Sequence, residues 1–412
     1  MTASAQRSMS RGARRRVGTP CVIFLDDTRW AAFHQLAPLL RRAGVRTVRV
    51  SAGAQTGSRF GSRLVYDRYE VLSGASEAGA LRRILEEENV IDIQFVERFG
   101  AIVRPNLGVL DAGVAERVAR RLAVQDKLSA AQLFHDSGVR TPAVVPVTEA
   151  SPGAVAARFG FPVVVKARVG SAGTNVIIAG DVESLIAAAT APDGDPEDRY
   201  YEQYVYGEKL NYAAAATSAD IEQELAYRVI RWLEPAGTAF EVQTISDPQL
   251  EAFGRRAIAV AGCTGLMNMD VIRDTEGRDW LIDFNSRAFG GAVCFRAAGI
   301  DMSQGYLRAI GMSSTPPACA SPRADVRFRV FPTCLGEAIS SGRMMRTAVL
   351  FVRESWPYLR WVGIRYWLSE ALAIADSVRT ARRARAQRDG LRESEPTLAQ
   401  ARANETAPPV AR

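Results

Sequence analysis

The feature that most constrains the fold of this sequence is the stretch from Gly265 to Arg287, which predicts two short strands joined by a turn. Residues 274–277 (Asp-Thr-Glu-Gly) supply the turn. Side chains on a strand alternate between its two faces. Asp283, Asn285 and Arg287 therefore share one face of the second strand, if that strand extends as far as the arginine.

The same hairpin brings acidic residues together. A turn centred on Glu276-Gly277 sets Asp270 directly opposite Asp283, and Asn268 opposite Asn285. Like charges that face each other on a sheet repel, so two carboxylates held in this way need a cation. Oxygen ligands of this kind suit Mg²⁺, which also keeps waters and binds substrate phosphates. The alternative is a surface hairpin whose polar face is solvated.

The hairpin resembles the metal-binding hairpin of ATP-grasp enzymes, and its Gly-Leu-Met-Asn is most similar to the large chain of carbamoyl-phosphate synthase. In that family the second strand reads acidic-x-Asn-x-Arg. The resemblance implies that Asp283 and Asn285 hold magnesium on ATP, with Asp270 as the second acidic ligand. It also implies that Arg287 faces the transferred phosphate. The sequence departs from the family in having Asp283 for the usual glutamate and Ser286 for the usual proline.

The beginning of the chain predicts alternating strands and helices, a pattern typical of right-handed parallel β-α-β units. The predicted elements are strands at 21–25, 46–50 and 90–96 and helices at 30–42 and 77–88. Residues 21–112 are therefore predicted to form a small Rossmann-like domain. Such a domain says little about function by itself, but in ATP-grasp enzymes one precedes the nucleotide site.

A phosphate-binding loop is predicted after the strand that ends at Lys166 and Ala167. Small residues at 170–174 let backbone N–H groups close on phosphate oxygens, and Lys166 adds a compact positive charge. The pattern is neither a Walker loop nor Gly-x-Gly-x-x-Gly. It resembles the phosphate lid of ATP-grasp enzymes, which implies contacts from Gly170, Ser171 and Gly173. The alternative is an ordinary hairpin turn.

Two further segments resemble nucleotide-binding parts of the family. Asp126-Lys127 lies within a helical pattern at 115–135, and the resemblance implies that Lys127 reaches the ATP phosphates. Residues 199–208 resemble the linker that binds adenine. The implied contacts of this linker are Glu202 and the backbone of Gln203 to Val205, with Glu208 on the ribose. The usual Gly-x-Glu spacing falls on Lys209, one residue later.

Composition excludes several classes of protein. The apolar fraction of 47% and charged fraction of 24% are ordinary for a globular protein, and no transmembrane helix is predicted. The net charge of +7 comes from arginines near both ends, so nucleic acid is not the expected partner. The basic N-terminus lacks the apolar stretch of a secretory signal. Five scattered cysteines fit the cytoplasm, and two histidines are too few to predict a histidine-ligated metal.

The segment at 344–374 combines apolar residues, arginines and a cluster of tryptophans and tyrosines. This composition suits packing against the enzyme body, contact with another subunit in a homo-oligomer, or a membrane surface. All three alternatives stay open at this stage. The basic tail at 1–19 and the tail at 386–412 are predicted to be disordered.

These patterns together predict an α/β protein of the ATP-grasp kind. Its expected parts are the Rossmann-like domain, a two-lobed nucleotide-binding unit at 113–312 and a largely helical extension at 313–385. The resemblance implies a cytoplasmic ligase that uses ATP and Mg²⁺, or Mn²⁺ in its place, to phosphorylate a carboxylate and join it to an amine. Lys166 and Arg287 are the expected catalytic residues. The alternative is an ATP-binding sensor or scaffold without ligase activity.

Overall fold

The structure is a computed structural model, and predictions for the tails at 1–17 and 386–412 and for Ser171 and Gly173 lie outside the residues that it describes. The described residues are 18–27, 31–52, 59–72, 76–170, 176–190, 196–232, 239–315, 322–331, 334, 344–350, 352–353, 356 and 360–370.

The N-terminal part of the chain forms a parallel sheet. Its strands are β1 (Pro20–Leu25), β2 (Arg46–Ala52), β3 (Arg68–Leu72) and β4 (Asn89–Phe95). The order is β3-β2-β1-β4, so the chain leaves β1 toward β2 on one side and returns to β4 on the other. In open parallel sheets, ligands bind beyond the carboxyl ends of the strands at such a reversal. Asp26 and Glu97 follow those ends of β1 and β4.

Helices surround this sheet and lead to the next part of the chain. They are α1 (Ala31–Arg42), α2 (Arg59–Val65), α3 (Glu77–Glu87), α4 (Gly100–Val103), α5 (Ala112–Ala123) and α6 (Lys127–Asp136). The helical pattern predicted at 115–135 is interrupted, as α5 and α6. Asp126 caps α6 because its carboxylate accepts a hydrogen bond from the Ser129 N–H at 2.9 Å. The break sets Lys127 in the first turn of α6.

The middle of the chain forms a small antiparallel sheet with two helices. Its elements are β5 (Val144–Pro146), α7 (Pro152–Phe159), β6 (Val163–Ala167), β7 (Val176–Ala179), α8 (Val182–Ala189) and β8 (Arg199–Gln203), in the strand order β5-β8-β6-β7. Asp181 caps α8 through the Ser184 N–H at 2.8 Å. Lys166 and Glu202 lie on the neighbouring strands β6 and β8.

A larger antiparallel sheet follows. Its strands are β9 (Gly207–Ala216), β10 (Ile221–Trp232), β11 (Ala239–Ile245), β12 (Gly265–Asp274), β13 (Asp279–Asn285) and β14 (Arg327–Arg329), in the order β13-β12-β9-β10-β11-β14. The helices of this part are α9 (Pro248–Ala261), α10 (Met302–Ala309) and, further along, α11 (Met344–Leu350). Asp247 caps α9 through the Leu250 N–H at 3.0 Å.

The hairpin of β12 and β13 has the register that alternation predicts. Asp270 faces Asp283, and Asn268 faces Asn285. The second strand ends at Asn285, so Arg287 lies two residues beyond it. Arg287 nevertheless stays close, because its guanidinium donates to Asn285 Oδ1 at 3.0 Å.

A buried polar network joins the parallel sheet to this hairpin. Arg121 on α5 donates to the Asp92 carboxylate at 2.6 Å and to the carbonyl of Thr264, just before β12, at 2.6 Å. Gln94 Oε1 accepts from the Ala288 N–H, just after Arg287, at 3.0 Å. Buried networks of this kind fix position strongly, because breaking one leaves unpaired polar groups. The network therefore holds the end of β4 next to Arg287.

The C-terminal segment packs on α1 through part of its aromatic cluster. Tyr366 and Val362 are buried, and the Gln35 side-chain amide donates to the Tyr366 hydroxyl at 3.2 Å. The packing alternative therefore holds for these two side chains. Among the described residues, no helix has the length and apolarity needed to cross a membrane.

Candidate active site

A cavity of about 320 Å³ lies between the small sheet and the hairpin of β12 and β13. Apolar side chains form its walls, as is usual for ligand sites. They include Val164, Val176, Ile178, Tyr204, Trp232, Ile272 and Ile282. Charged side chains concentrate along one part of the lining. They are Lys127, Lys166, Lys209, Glu202, Asp270 and Asp283.

The charges along this lining are matched in pairs. Lys166 contacts Glu202 at 2.6 Å, and Lys127 contacts Asp283 at 2.5 Å. Lys209 lies 3.7 Å from Asp270. The lysines therefore neutralise the acids that face each other on the hairpin, which is the role that the sequence predicts for a cation.

Lys127 and Asp283 stabilise each other's charged forms. Burial alone would raise the pKa of Asp283, but the charge and hydrogen bond of Lys127 outweigh it and lower that pKa. Burial likewise opposes the charge of Lys127, yet Asp283 raises its pKa overall. Both groups are consequently charged throughout the neutral pH range, and Asp283 is available as an anionic ligand.

Lys166 bridges the two walls of the cavity. Its ammonium donates to Glu202 on β8 and, at 2.9 Å, to the carbonyl of Ile282 on β13. An ammonium has three protons to donate, so one remains for a ligand. Burial raises the pKa of Glu202, while the charge of Lys166 opposes this effect. Lys166 is thus held where the two walls of the cavity meet, and one N–H of its ammonium remains to donate to a bound anion.

The donor set of the hairpin fits Mg²⁺. Asp270 and Asp283 are half-buried on facing positions of adjacent strands, and Asn285 supplies an amide oxygen nearby. In the described part of the chain, no three His, Cys, Asp or Glu side chains converge to hold a metal by themselves. Mg²⁺ is usually bound by one or two carboxylates and completed by substrate phosphates and water, so the two carboxylates of the hairpin suit it.

Arg287 is buried and lies outside the lining of this cavity. Its Nε donates to Glu97 Oε1 at 2.7 Å, and a second nitrogen donates to Asn285. Asn285 in turn donates to Asp283 at 3.1 Å. A continuous line of polar contacts therefore runs from the acids of the hairpin through Arg287 to Glu97.

The remaining predicted nucleotide contacts divide into two groups. Gly170, Gln203 and Val205 line the cavity together with the residues above. Glu208 is exposed, lies 3.4 Å from Arg228 and is absent from the lining, because alternation along β9 turns Lys209 inward instead. The structure therefore brings Lys209, rather than Glu208, to the cavity.

Solved structures with a similar fold bind adenine nucleotides. The carboxyaminoimidazole ribonucleotide synthase from Aspergillus clavatus, complexed with ATP, aligns with a TM-score of 0.61 at 13% identity, covering 75% of this chain and 80% of that one. The biotin carboxylase domain of 2-oxoglutarate carboxylase from Hydrogenobacter thermophilus, bound to MgADP, aligns with a TM-score of 0.57 at 14% identity, covering 74% and 73%. At these identities the similarity concerns the fold.

Sequence relatives decide the family. No protein-family profile matches the chain. The D-alanine–D-alanine ligase of Stutzerimonas stutzeri is 25% identical over 287 residues, which are 64% of this chain and 83% of that enzyme. The D-alanine–D-alanine ligase of Gloeobacter violaceus is 31% identical over 212 residues, which are 46% of this chain and 68% of that enzyme. The chain belongs to the ATP-grasp carboxylate–amine ligases.

The superfamily prediction is thus confirmed, and with it the reaction class. This ATP-grasp ligase uses ATP and Mg²⁺ to activate a carboxylate and join it to an amine. None of these relatives favours the sensor alternative. The mixed α/β architecture of this chain agrees with that of the solved structures that have a similar fold.

Sequence reasoning missed two residues that this ATP-grasp ligase brings to its charged cluster. The family spacing falls on Lys209, whereas the ribose contact was predicted at the adjacent Glu208. Glu97 follows a strand of the parallel sheet far from the hairpin in sequence. In the sequence, Glu97 is marked only by its position just after the strand predicted at 90–96.

Proposed function

We propose that the cluster around Asp270 and Asp283 is the catalytic centre of this ligase. The observation that carries the proposal is the facing pair of acids within a cavity that three lysines also line. Asp270, Asp283 and Asn285 hold Mg²⁺, which neutralises phosphate charge. Phosphoryl transfer depends mainly on such positioning and charge stabilisation, and needs no covalent nucleophile from the protein.

The cations have separate tasks in this proposal. Lys166 directs its remaining proton toward the nucleotide phosphates, and Lys127 exchanges Asp283 for a phosphate oxygen. Arg287 stabilises the phosphoryl group in flight, since it lies beyond Asn285 on the acceptor side. Gly170 lines the cavity and helps to protect the acyl phosphate from water. Glu202 and the Gln203–Val205 backbone bind the adenine.

The ribose contact belongs to a side chain that lines the cavity. Lys209 satisfies this condition, and Glu208 keeps its partner Arg228 at the surface. The parallel sheet at 21–112 and the unit at 113–312 correspond, in this proposal, to the domain before the nucleotide site and the nucleotide-binding unit.

We infer that the substrates are amino acids or compounds of similar size, and that D-alanine is the first to test. Support comes from relatives of 22–31% identity, several of which are D-alanine–D-alanine ligases. The test is Mg²⁺-dependent ADP release with D-alanine, L-alanine and a panel of other small carboxylates, each with and without a second amine. We expect release to rise at least tenfold with the accepted pair.

The outcome separates the ligase from a nucleotide-binding protein. Release stimulated by D-alanine alone supports a D-alanine–D-alanine ligase, since that substrate supplies both groups. Release with another carboxylate keeps the ligase and changes the substrate. Tight ATP binding with no stimulation by any carboxylate contradicts the proposal.

We propose, as a second property, that the C-terminal segment contacts an anionic membrane surface. Large apolar side chains are exposed along it, and arginines lie among them. The apolar residues are Met345, Val349, Val352, Trp356, Trp361, Ile364 and Leu368; the arginines are Arg346, Arg353, Arg360 and Arg365. Apolar side chains enter the interface, and each arginine near anionic lipid contributes about 1 kcal/mol.

Replacing Trp361, Ile364 and Leu368 together with serine tests this surface. We expect the wild type to bind vesicles of phosphatidylglycerol but not phosphatidylcholine, and the triple variant to lose at least tenfold in vesicle affinity. Val182→Ser and Ile186→Ser on α8 are the matched control, because these residues are also exposed and apolar. If the wild type does not bind vesicles at low salt but forms dimers that the triple variant dissociates, the surface instead contacts a second copy of the chain.

We also propose that the enzyme acts in the cytoplasm. The described cysteines Cys21, Cys263, Cys294 and Cys334 are buried thiols, as a reducing compartment would keep them.

A further inference from the structure

Glu97 is a buried carboxylate with one oxygen left over. It follows β4, and its side chain is only 8% exposed. Oε1 accepts from Arg287 Nε at 2.7 Å. Oε2 is buried and has no hydrogen-bond partner among the described residues. A buried oxygen of this kind is costly unless a ligand supplies a donor, so the structure calls for an N–H or O–H group here.

The neighbouring carboxylates at this edge of the parallel sheet already have basic partners. Asp26, after β1, pairs with Arg49, and Asp27 pairs with Arg98. Glu97 shares this edge because β4 lies next to β1. Glu97 has Arg287 as its basic partner, but its Oε2 is buried without a hydrogen-bond partner among the described residues, so a ligand that enters where the strand order reverses finds its acceptor there.

The position of Glu97 relative to the nucleotide cavity indicates which substrate it meets. A pocket of about 10 Å³, the space of one water, is lined by Glu97, Lys127, Asn285 and Arg287. Lys127 also lines the nucleotide cavity, so the two spaces are adjacent at this lysine. Glu97 is thus on the far side of Arg287 from the acids of the hairpin.

We propose that Glu97 binds the amino group of the amine substrate, an inference that rests on the proposed function. A carboxylate oxygen only accepts hydrogen bonds, and its strongest partner is a positively charged donor. When Arg287 turns toward the phosphate of the activated carboxylate, the pocket widens and Oε1 is released as well. The ammonium then has two oxygens to contact, beside the carbonyl carbon of the acyl phosphate. After it gives a proton to water, the amine attacks this carbon, the C–N bond forms, and the C–O bond to phosphate breaks so that phosphate leaves. Glu97 selects amines over neutral nucleophiles.

Glu97→Gln tests this assignment with little change in shape. The amide oxygen can still accept from Arg287, but the amide nitrogen can no longer accept from an amine. We expect the KM of the amine to rise about tenfold to a hundredfold, the usual loss for a hydrogen bond to a charged group. The KM values of ATP and of the carboxylate should change far less. Glu97→Asp, which keeps the charge, should recover part of the amine affinity.

Hydroxylamine separates amine recognition from the positioning of Arg287. At mildly alkaline pH it is uncharged, and it traps an acyl phosphate as a hydroxamate. We expect Glu97→Gln to reduce turnover with the amine at least tenfold more than hydroxamate formation. Equal losses in the two assays would overturn the proposal, because they would mean that Glu97 acts only through Arg287.

A binding measurement keeps this test independent of turnover. D-alaninamide carries the amino group without a carboxylate, so it probes the nucleophile position of the wild type in the presence of ADP and Mg²⁺. Calorimetry should show binding that Glu97→Gln weakens at least tenfold. If the wild type and the variant bind D-alaninamide equally, or neither binds it, Glu97 is not the amine site. Failure of the wild type to form any hydroxamate would instead count against the proposed catalytic centre.

Discussion

Replacing Asp283 with asparagine is expected to lower turnover by about a hundredfold to a thousandfold. The change removes one of the two facing carboxylates, and electrostatic stabilisation of transferring phosphate is worth several kcal/mol. It also leaves Lys127 without the acid it contacts at 2.5 Å. The free lysine should bind phosphate more readily, so ATP affinity without metal should hold or improve. The measurement is ADP release and nucleotide binding, each titrated with Mg²⁺.

Asp274→Asn is the matched control for this prediction. Asp274 belongs to the same hairpin, but its carboxylate contacts Arg278 at 2.7 Å and the Trp280 ring nitrogen at 2.8 Å, away from the cavity. We expect this variant to lose stability rather than Mg²⁺ dependence. Full activity of a folded Asp283→Asn enzyme would mean that the metal is held elsewhere.

Replacing Lys166 with methionine is expected to suppress ADP release by about a hundredfold or more. Lys166 links Glu202 on one wall to Ile282 on the other and keeps one proton for the phosphates. Its loss removes a charge that stabilises the transition state and loosens the contact between the walls. Both kcat and the ATP affinity should fall, as single-turnover kinetics and nucleotide titration can establish.

A second variant separates this effect from misfolding. Lys166→Met alone leaves Glu202 buried beside an apolar group, which costs about 3–5 kcal/mol of folding free energy. The double variant Lys166→Met/Glu202→Gln removes the unpaired charge as well. We expect it to recover thermal stability but not activity. Recovered activity in the double variant would contradict a direct role of Lys166 on the phosphates.

The metal hairpin could be predicted from sequence because it is local. A four-residue turn and the alternation of side chains fix which residues face each other, and the structure has Asp270 opposite Asp283 as expected. The caps Asp181 and Asp247 depend on equally short distances along the chain. Local rules of this kind do not require knowledge of the rest of the fold.

Contacts that depend on tertiary packing were beyond such rules. Glu97 contacts Arg287, which lies 190 positions later in the chain. The network of Asp92 and Arg121 also includes the carbonyl of Thr264, which lies in a distant part of the sequence. Nothing in the local sequence of β4 distinguishes Glu97 from a surface acid.

The composition of the segment at 344–374 was likewise ambiguous, because the same aromatic cluster supplies the buried Tyr366 and the exposed Trp361.

The most direct test of the central claim follows the oxygen atoms of the carboxylate. In an acyl phosphate, a carboxylate oxygen becomes the bridge to phosphorus, and attack by the amine breaks the bond between carbon and that oxygen. With the accepted substrate labelled with oxygen-18 in its carboxylate, each phosphate released should therefore carry one labelled oxygen, in step with ADP. Phosphate that forms at the same rate but carries no label would contradict activation of the carboxylate by phosphorylation.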